Sequence, residues 1–450
     1  MSPRPLILNA FLTQNLSHIH HGKWRDPSSR NVDFNDLSAW TELVEALEHG
    51  GFDAIFFADV LGFGDDTAGG WREAARYGVQ FPAGDPAALV PALVARTSEL
   101  NFVLTSSILK EHPFVFARYI ATLDHLSGGR IGWNVVTSSR RTEARAVGLA
   151  EISPHAERYA MAEEYLEVVY ALLETSWEEG AIIADRASGE YLDDRKLHEI
   201  HHRGAHWTVD AVQQQAPSPQ RTPVLFQAGG SPVGRDFAAR HAEGTFIAGH
   251  DPASAARVIG ETRALLAKHG RRADDLRFIQ GLSFVVGSTD EEAQRLSTDI
   301  DDELVEQAML IHMSSTIGID FTSIDLDQPV EGFQSRRVQG AVQGLLDSAP
   351  GKPKTFRELA RWAWSQRVVG GPETIADRVA EWARAGVDGL NIIHVTTPGS
   401  YLDFVDQVLP VLRERGLARR GRRSGTFREQ LFPGRGPRLP ERHPARRQGR

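Results

Sequence analysis

The chain has 450 residues, which is enough for one large domain or two of medium size. Hydrophobic residues make up 41% and charged residues 24%, a balance typical of a globular protein rather than a collagen-like or disordered one. There is no cysteine, which excludes disulfides, thiol nucleophiles and cysteine-bound zinc or iron–sulfur clusters. No apolar run approaches the roughly 20 residues of a membrane-spanning helix, and the first residues do not resemble a secretory signal, so we expect a cytoplasmic protein.

Charge is distributed unevenly along the chain. The formal net charge is -9, yet residues 419–450 contain eleven arginines and two acids. The body of the chain is therefore strongly acidic, which argues against nucleic-acid binding through its bulk. Residues 432–450 are rich in proline, glycine and arginine and are predicted to be a disordered tail, with a phosphate-binding arm as the alternative.

Eight short apolar runs alternate with amphipathic helical stretches along the whole chain. Most runs are continuously apolar, a pattern typical of parallel strands that are covered on both faces. Alternating strands and helices indicate βαβ units with right-handed crossovers. The predicted strands cover residues 6–12, 54–58, 101–105, 130–136, 223–228, 245–248, 278–286 and 389–393.

The eight repeats predict an α/β fold in which a (β/α)8 TIM barrel spans residues 1–431. An open doubly wound sheet is the alternative, but no G-x-G-x-x-G motif follows the first strand. Two long segments, 177–210 and 304–367, do not fit the repeat. We expect both to be insertions at the carboxyl ends of the strands, where they would act as lids over the mouth of the barrel.

The turn after the fifth predicted strand has the composition of an anion site. Gly229, Gly230 and Ser231 lead into a helix, so free backbone N–H groups and the positive end of the helix dipole can face one anion. His155 and Tyr159 are four residues apart on another helix and share a face. Together these groups would suit a phosphate monoester, although such a turn can also be a plain strand-to-helix connection.

Polar residues at other strand ends add further candidates. Asp59 ends an apolar strand, where a carboxylate must find donors or raise its pKa. Asn134 lies among apolar residues, and its amide suits the edge of a planar heterocycle, with a backbone-bonded core role as the alternative. His18 and His20 follow the first strand, and such a pair can begin a zinc site, so a metal-dependent TIM-barrel hydrolase is a competing hypothesis.

Several stretches together resemble one family. The chain is similar to the bacterial luciferase-like FMN-dependent monooxygenases, in particular to the branch of the nitrilotriacetate, dibenzothiophene-sulfone and pristinamycin monooxygenases. The similarity extends from about residue 5 to residue 431, and the longest of these stretches, 121–138, is highly specific. The stretches are 56–59 (FFAD), 121–138 (ATLDHLSGGRIGWNVVTS), 155–159 (HAERY), 227–238 (QAGGSPVGRDFA), 368–377 (VVGGPETIAD) and 399–406 (GSYLDFVD).

The resemblance implies a two-component enzyme that receives reduced FMN from a separate NAD(P)H:flavin reductase and oxygenates an organic substrate with O2. Matching positions imply that the FMN phosphate binds near Gly230. No metal is required, and relatives imply a homodimer or a homotetramer. The residues implied for the phosphate are His155, Tyr159 and Ser231, and those for the isoalloxazine are Asp59, Thr105 and Asn134.

The substrate and any acid–base group are predicted from position and side-chain type alone. His20, His21 and His312 are the candidates for acid–base catalysis. Aromatic residues near the expected mouth favour an apolar, aromatic or heterocyclic substrate, whereas Arg336, Arg337 and His312 would suit an anionic one. The aromatic residues are Phe11, Trp24, Phe63 and Trp71.

Overall fold

Eight parallel strands close into a barrel in the computed structural model, which describes residues 4–247, 249–330, 353–421 and 424–447. Each strand pairs with the next one along the chain, and the eighth pairs with the first, where Asn9 lies opposite Asn391. The predicted (β/α)8 barrel is thereby confirmed. The barrel strands are Ile7–Leu12, Ala54–Phe57, Asn101–Ser107, Ile131–Val136, Val224–Gln227, Gly244–Ile247, Arg277–Val286 and Gly389–Ile393.

Helices surround the barrel, and many of their first residues are prolines or follow a capping side chain. Proline suits the first position of a helix because its missing N–H would have no partner there. None of the helices in the described ranges is long and apolar enough to cross a bilayer. The helices are Leu37–Gly50, Trp71–Tyr77, Pro86–Val94, Pro113–Ser127, Arg141–Ala146, His155–Tyr170, Pro232–His241, Pro252–Lys268, Asp290–Glu303, Glu306–Ile317, Phe356–Trp364, Pro372–Arg384, Gly399–Asp403, Leu409–Glu414 and Phe427–Leu431.

The core has an inner and an outer layer. Inward side chains such as Ile7, Phe56 and Phe226 fill the barrel, while the alternate side chains of the same strands pack against the helices. Phe427 and Phe432 belong to the inner layer, so the last helix closes one end of the barrel. The strands are buried on both faces, which explains their continuously apolar sequences.

The carboxyl-terminal segment differs from the expectation of a disordered tail. Residues 432–447 pack on the barrel, and His443 is 0% exposed and bonded through Nε2 to the carbonyl of His241 at 2.8 Å. Arg435 and Arg442 both pair with the buried Asp275. The physical reason is charge complementarity, because the arginines of the tail neutralise carboxylates of the acidic body.

The two insertions lie in different places. The second contacts the loops at the carboxyl ends of the strands, where His312 bonds to His21 and the carboxylate of Asp320 accepts from the N–H of Ala68. Its residues 331–352, with Arg336 and Arg337, lie outside the described residues. The placement of the second insertion at the mouth is therefore supported.

The placement of 177–210 at the mouth is wrong. This segment follows the helix His155–Tyr170 and precedes the fifth strand, so the chain has already returned to the amino ends of the strands. Its Trp177 donates to the carbonyl of Gln213 at 2.6 Å. A hairpin of Ile200–Arg203 and Thr208–Ala211 then packs along the outside of that helix. This segment cannot act as a lid over the carboxyl ends.

Candidate active site

The turn after the fifth strand gathers the residues predicted to bind phosphate. Ser231 caps the helix Pro232–His241, and its Oγ accepts from the N–H of Gly234 at 3.1 Å. The same Oγ lies 3.3 Å from Nε2 of His155. The ring of His155 packs on that of Tyr159, with 5.1 Å between the centroids. Three side chains and a helix N-terminus thus converge on one place, as an oxyanion site requires.

Two glycines bring this turn close to Tyr159. A Cβ at Gly229 or Gly234 would lie 2.4 or 2.6 Å from the hydroxyl of Tyr159, so neither position has room for a side chain. A Cβ at Gly230 would meet nothing within 4 Å, so this backbone faces open space. The turn is therefore shaped to leave the Gly230 backbone accessible to a ligand.

Gln227, which was not predicted as a site residue, orients this cluster. Its Nε2 donates to the hydroxyl of Tyr159 at 3.1 Å, and its Oε1 accepts from the N–H of Gly229 at 2.7 Å. Because the hydroxyl accepts from Gln227, its own proton remains available for a further acceptor. Burial raises the pKa of Tyr159, which keeps the hydroxyl protonated.

The residues predicted to contact a flavin ring lie on neighbouring strands. Nδ2 of Asn134 donates to Oγ1 of Thr105 at 3.0 Å, and both residues are buried. Oδ1 of Asn134 is buried and has no hydrogen-bond partner among the described residues. Asp59 lies two residues after the second strand, and burial raises its pKa to about 6. An orphaned amide oxygen and an easily protonated carboxyl fit the N–H and carbonyl edge of an isoalloxazine.

The predicted acid–base histidines belong to one buried cluster at the mouth. Nε2 of His21 lies 3.0 Å from Nδ1 of His312. Nδ1 of His20 lies 3.1 Å from the carbonyl of His394, so this nitrogen must carry a proton. His20 and His21 are 0% and 1% exposed, whereas His312 is half-buried. Of the three candidates, His312 is therefore the one best placed to contact a substrate.

Burial keeps these imidazoles neutral. Desolvation lowers the pKa of His18, His20 and His21 to about 3. Desolvation, with smaller contributions from His21 and Arg140, also holds the pKa of His312 well below its ordinary value. The cluster can therefore exchange hydrogen bonds at neutral pH without carrying charge.

The histidine pair of the competing hydrolase hypothesis has other partners. His18 packs edge-on against Phe11, with 4.9 Å between the ring centroids, and His20 is bonded to a backbone carbonyl. Across the described ranges, no group of three or more histidine, aspartate and glutamate side chains is arranged to hold a metal ion. Nothing in the described geometry favours zinc over a flavin.

A comparison with known proteins decides the family. Residues 11–389 match the model of the luciferase-like monooxygenases. The chain belongs to this family. The dimethyl-sulfide monooxygenase of Hyphomicrobium sulfonivorans is 37% identical over 98% of this chain and 93% of its own length. The long-chain alkane monooxygenase of Geobacillus thermodenitrificans is 38% identical over 98% of this chain and 97% of its own.

Solved structures of this family have the same barrel. The crystal structure of DmoA from Hyphomicrobium sulfonivorans superposes with a TM-score of 0.93 at 37% identity, covering 98% of this chain and 95% of that one. A riboflavin lyase solved with modified FMN and riboflavin superposes with a TM-score of 0.88 at 35% identity, covering 98% and 99%. The predicted family and enzyme class, a flavin-dependent monooxygenase, are confirmed.

Proposed function

We propose that this protein is the oxygenase of a two-component system. It takes reduced FMN from a separate NAD(P)H:flavin reductase and uses O2 to oxygenate a small organic substrate. The bound flavin supplies the activation of oxygen, while the protein binds it, orients the substrate and excludes water.

The choice of FMN rests on the turn after the fifth strand. There His155, Tyr159 and Ser231 converge beside the open backbone of Gly230, and these four residues form what we call the phosphate cradle. Such a site stabilises a phosphate monoester through charge-assisted hydrogen bonds and the helix dipole. Riboflavin has no group for this cradle, so the geometry supports FMN as the bound form.

The flavin ring would occupy the mouth between this cradle and the first strands. Asn134 would accept a hydrogen bond at its orphaned Oδ1, and Thr105 would hold the Asn134 amide in place. Asp59, with its raised pKa, would donate or accept a hydrogen bond according to pH. These roles follow from donors and acceptors that are buried at the carboxyl ends of the strands.

We assign hydrogen-bond donation to the substrate to His312, with His21 as a positioning residue. Nδ1 of His21 is buried without a partner among the described residues. A proton on that nitrogen would be a buried, unpaired donor, so we place the proton of His21 on Nε2. His21 then donates to Nδ1 of His312, which leaves His312 carrying its own proton on Nε2. His20 holds the loop by its bond to His394.

The substrate would meet an aromatic wall. Trp24 and Trp71 are 38% and 45% exposed, and Phe63 packs against Trp71 with 6.3 Å between ring centroids. Such surfaces favour an apolar or aromatic body.

We also expect a homodimer or a homotetramer, which sedimentation of the purified protein tests.

Isotope transfer tests the proposed reaction. The protein is combined with a flavin reductase, NADH, FMN and 18O2, and a panel of sulfides, alkanes and aromatic acids is screened by mass spectrometry. We expect one product whose mass increases by one atom of 18O, and only when FMN and the reductase are both present. Turnover that needs an added metal ion but no flavin would contradict the proposal and support the hydrolase.

A further inference from the structure

Arg140 is a charged residue at the mouth that the proposed reaction does not yet use. It follows the fourth strand, and its Nη2 donates to Oε1 of Gln80 at 3.0 Å. Its Nη1 is buried and has no hydrogen-bond partner in the described part of the chain. The guanidinium is therefore anchored to Gln80 through Nη2, while Nη1 remains an unpaired donor.

No carboxylate in the described ranges lies within ion-pair distance of Arg140. Asp65, Asp66 and Glu143 are the acids whose charges reach it. The Glu143 carboxylate already accepts from the backbone N–H groups of Ser139 and Arg140, at 2.8 and 2.9 Å. A desolvated guanidinium with acids nearby but no directly paired carboxylate is less stable than an ion pair, so this cation is suited to an anionic ligand.

The neighbours of Arg140 place it in the substrate region, beside the histidine cluster. Its charge contributes to the lowered pKa values of His18 and His312, so it lies beside the histidine cluster. Gln80, which holds it, also donates to the carbonyl of His18 at 3.4 Å.

The backbone is strained at two positions near Arg140. Gln80 has a φ of 51° and Ser138 a φ of 55°, which residues with a side chain rarely adopt. Strain of this kind persists where the surrounding structure over-determines it, as at ligand-binding sites. Gln80 accepts the hydrogen bond from Arg140, and Ser138 lies two residues before Arg140.

We propose that Arg140 binds an oxyanion of the substrate, a carboxylate or a sulfonate attached to an apolar or aromatic body. This inference rests on the proposed function, because it names the substrate class of the same mouth. A guanidinium presents parallel N–H donors that match the two oxygens of such a group. The aromatic wall would bind the body while Arg140 orients the charged end.

Calorimetric titration with simple probes tests this assignment. Benzoate, benzenesulfonate and neutral benzamide are titrated into the protein with and without FMN. The variants are Arg140→Met, Arg140→Lys and, as a matched control, Arg141→Met, whose guanidinium is 58% exposed and 3.9 Å from Asp65. Thermal unfolding of each variant verifies that it is folded.

We expect the wild type and Arg141→Met to bind one of the two anions at least tenfold more tightly than benzamide. Arg140→Met should lose this preference and Arg140→Lys should retain part of it. Whether benzoate or benzenesulfonate binds more tightly distinguishes the two oxyanions. Equal affinities for anions and benzamide in the wild type would overturn the proposal, as would an Arg140→Met variant that loses FMN rather than anion affinity.

The same titrations separate this inference from the proposed function. Arg140-dependent anion binding in a protein that binds no FMN would contradict the flavin assignment and leave the oxyanion site standing. Normal FMN binding without any anion preference would contradict the oxyanion site alone.

Discussion

Ser231 has two roles in the structure that one pair of substitutions separates. Its Oγ caps the helix Pro232–His241, and it lies beside His155 in the proposed phosphate cradle. Ser231→Ala removes both roles. A lost hydrogen bond to a charged phosphate costs about 1.5–3 kcal/mol, which weakens FMN binding by about 10–150-fold. The lost cap lowers the free energy of unfolding by about 1 kcal/mol.

Ser231→Asp distinguishes these two effects. Aspartate is a good capping residue, so the free energy of unfolding should stay close to that of the wild type. Its carboxylate would repel a phosphate, so FMN should bind more weakly than to Ser231→Ala. Fluorescence titration with FMN and riboflavin, together with urea unfolding, measures both quantities. If Ser231→Asp bound FMN as tightly as the wild type, the cradle would not be the phosphate site.

Three further predictions concern the buried charges and the histidine pair. Arg428→Met should lower the free energy of unfolding by about 3–5 kcal/mol, because it leaves the buried carboxylate of Glu243, which Arg428 contacts at 2.7 Å, without its counter-charge. Adding Glu243→Gln should recover part of this loss. A change below about 1 kcal/mol in urea unfolding would contradict the prediction. Because burial raises the pKa of Asp59 to about 6, stability should fall as pH rises from about 4 to about 6, and the loss should be complete above that range. Asp59→Asn should therefore raise the free energy of unfolding by about 1–3 kcal/mol at pH 7.5 and by little at pH 4. Equal effects at both pH values in urea unfolding would refute this. His21→Ala should lower product formation about tenfold or more without changing FMN affinity, because His312 loses the partner that fixes its tautomer. An unchanged amount of product formed per NADH consumed would contradict this role.

The sequence predicted the features that local patterns determine. The eight barrel strands follow from apolar runs, and the turn at Ser231 follows from two glycines before a capping residue and a proline. Chain order alone also implies that the segment 177–210 lies at the amino ends of the strands, because it comes after a helix rather than after a strand. The length of a segment therefore does not by itself place it at the mouth of the barrel.

Features that depend on distant pairing could not be predicted. His21 and His312 are 291 residues apart in sequence, and Arg428 pairs with a carboxylate 185 residues away. The arginine-rich composition of the tail predicts disorder when the tail is considered alone. The tail is ordered here because its arginines pair with carboxylates of the barrel that composition does not reveal. The proposed role of Arg140 likewise depends on its contact with Gln80 and on the nearby histidines, which are distant from it in sequence.

Anaerobic titration with reduced FMN and reduced riboflavin tests the central claim most directly. The two ligands share the ring system and differ only in the phosphate, so their ratio of dissociation constants isolates the cradle after the fifth strand. We expect reduced FMN to bind at least a hundredfold more tightly than reduced riboflavin to the wild type. Equal affinities, or no binding of either ligand at millimolar concentration, would contradict the account.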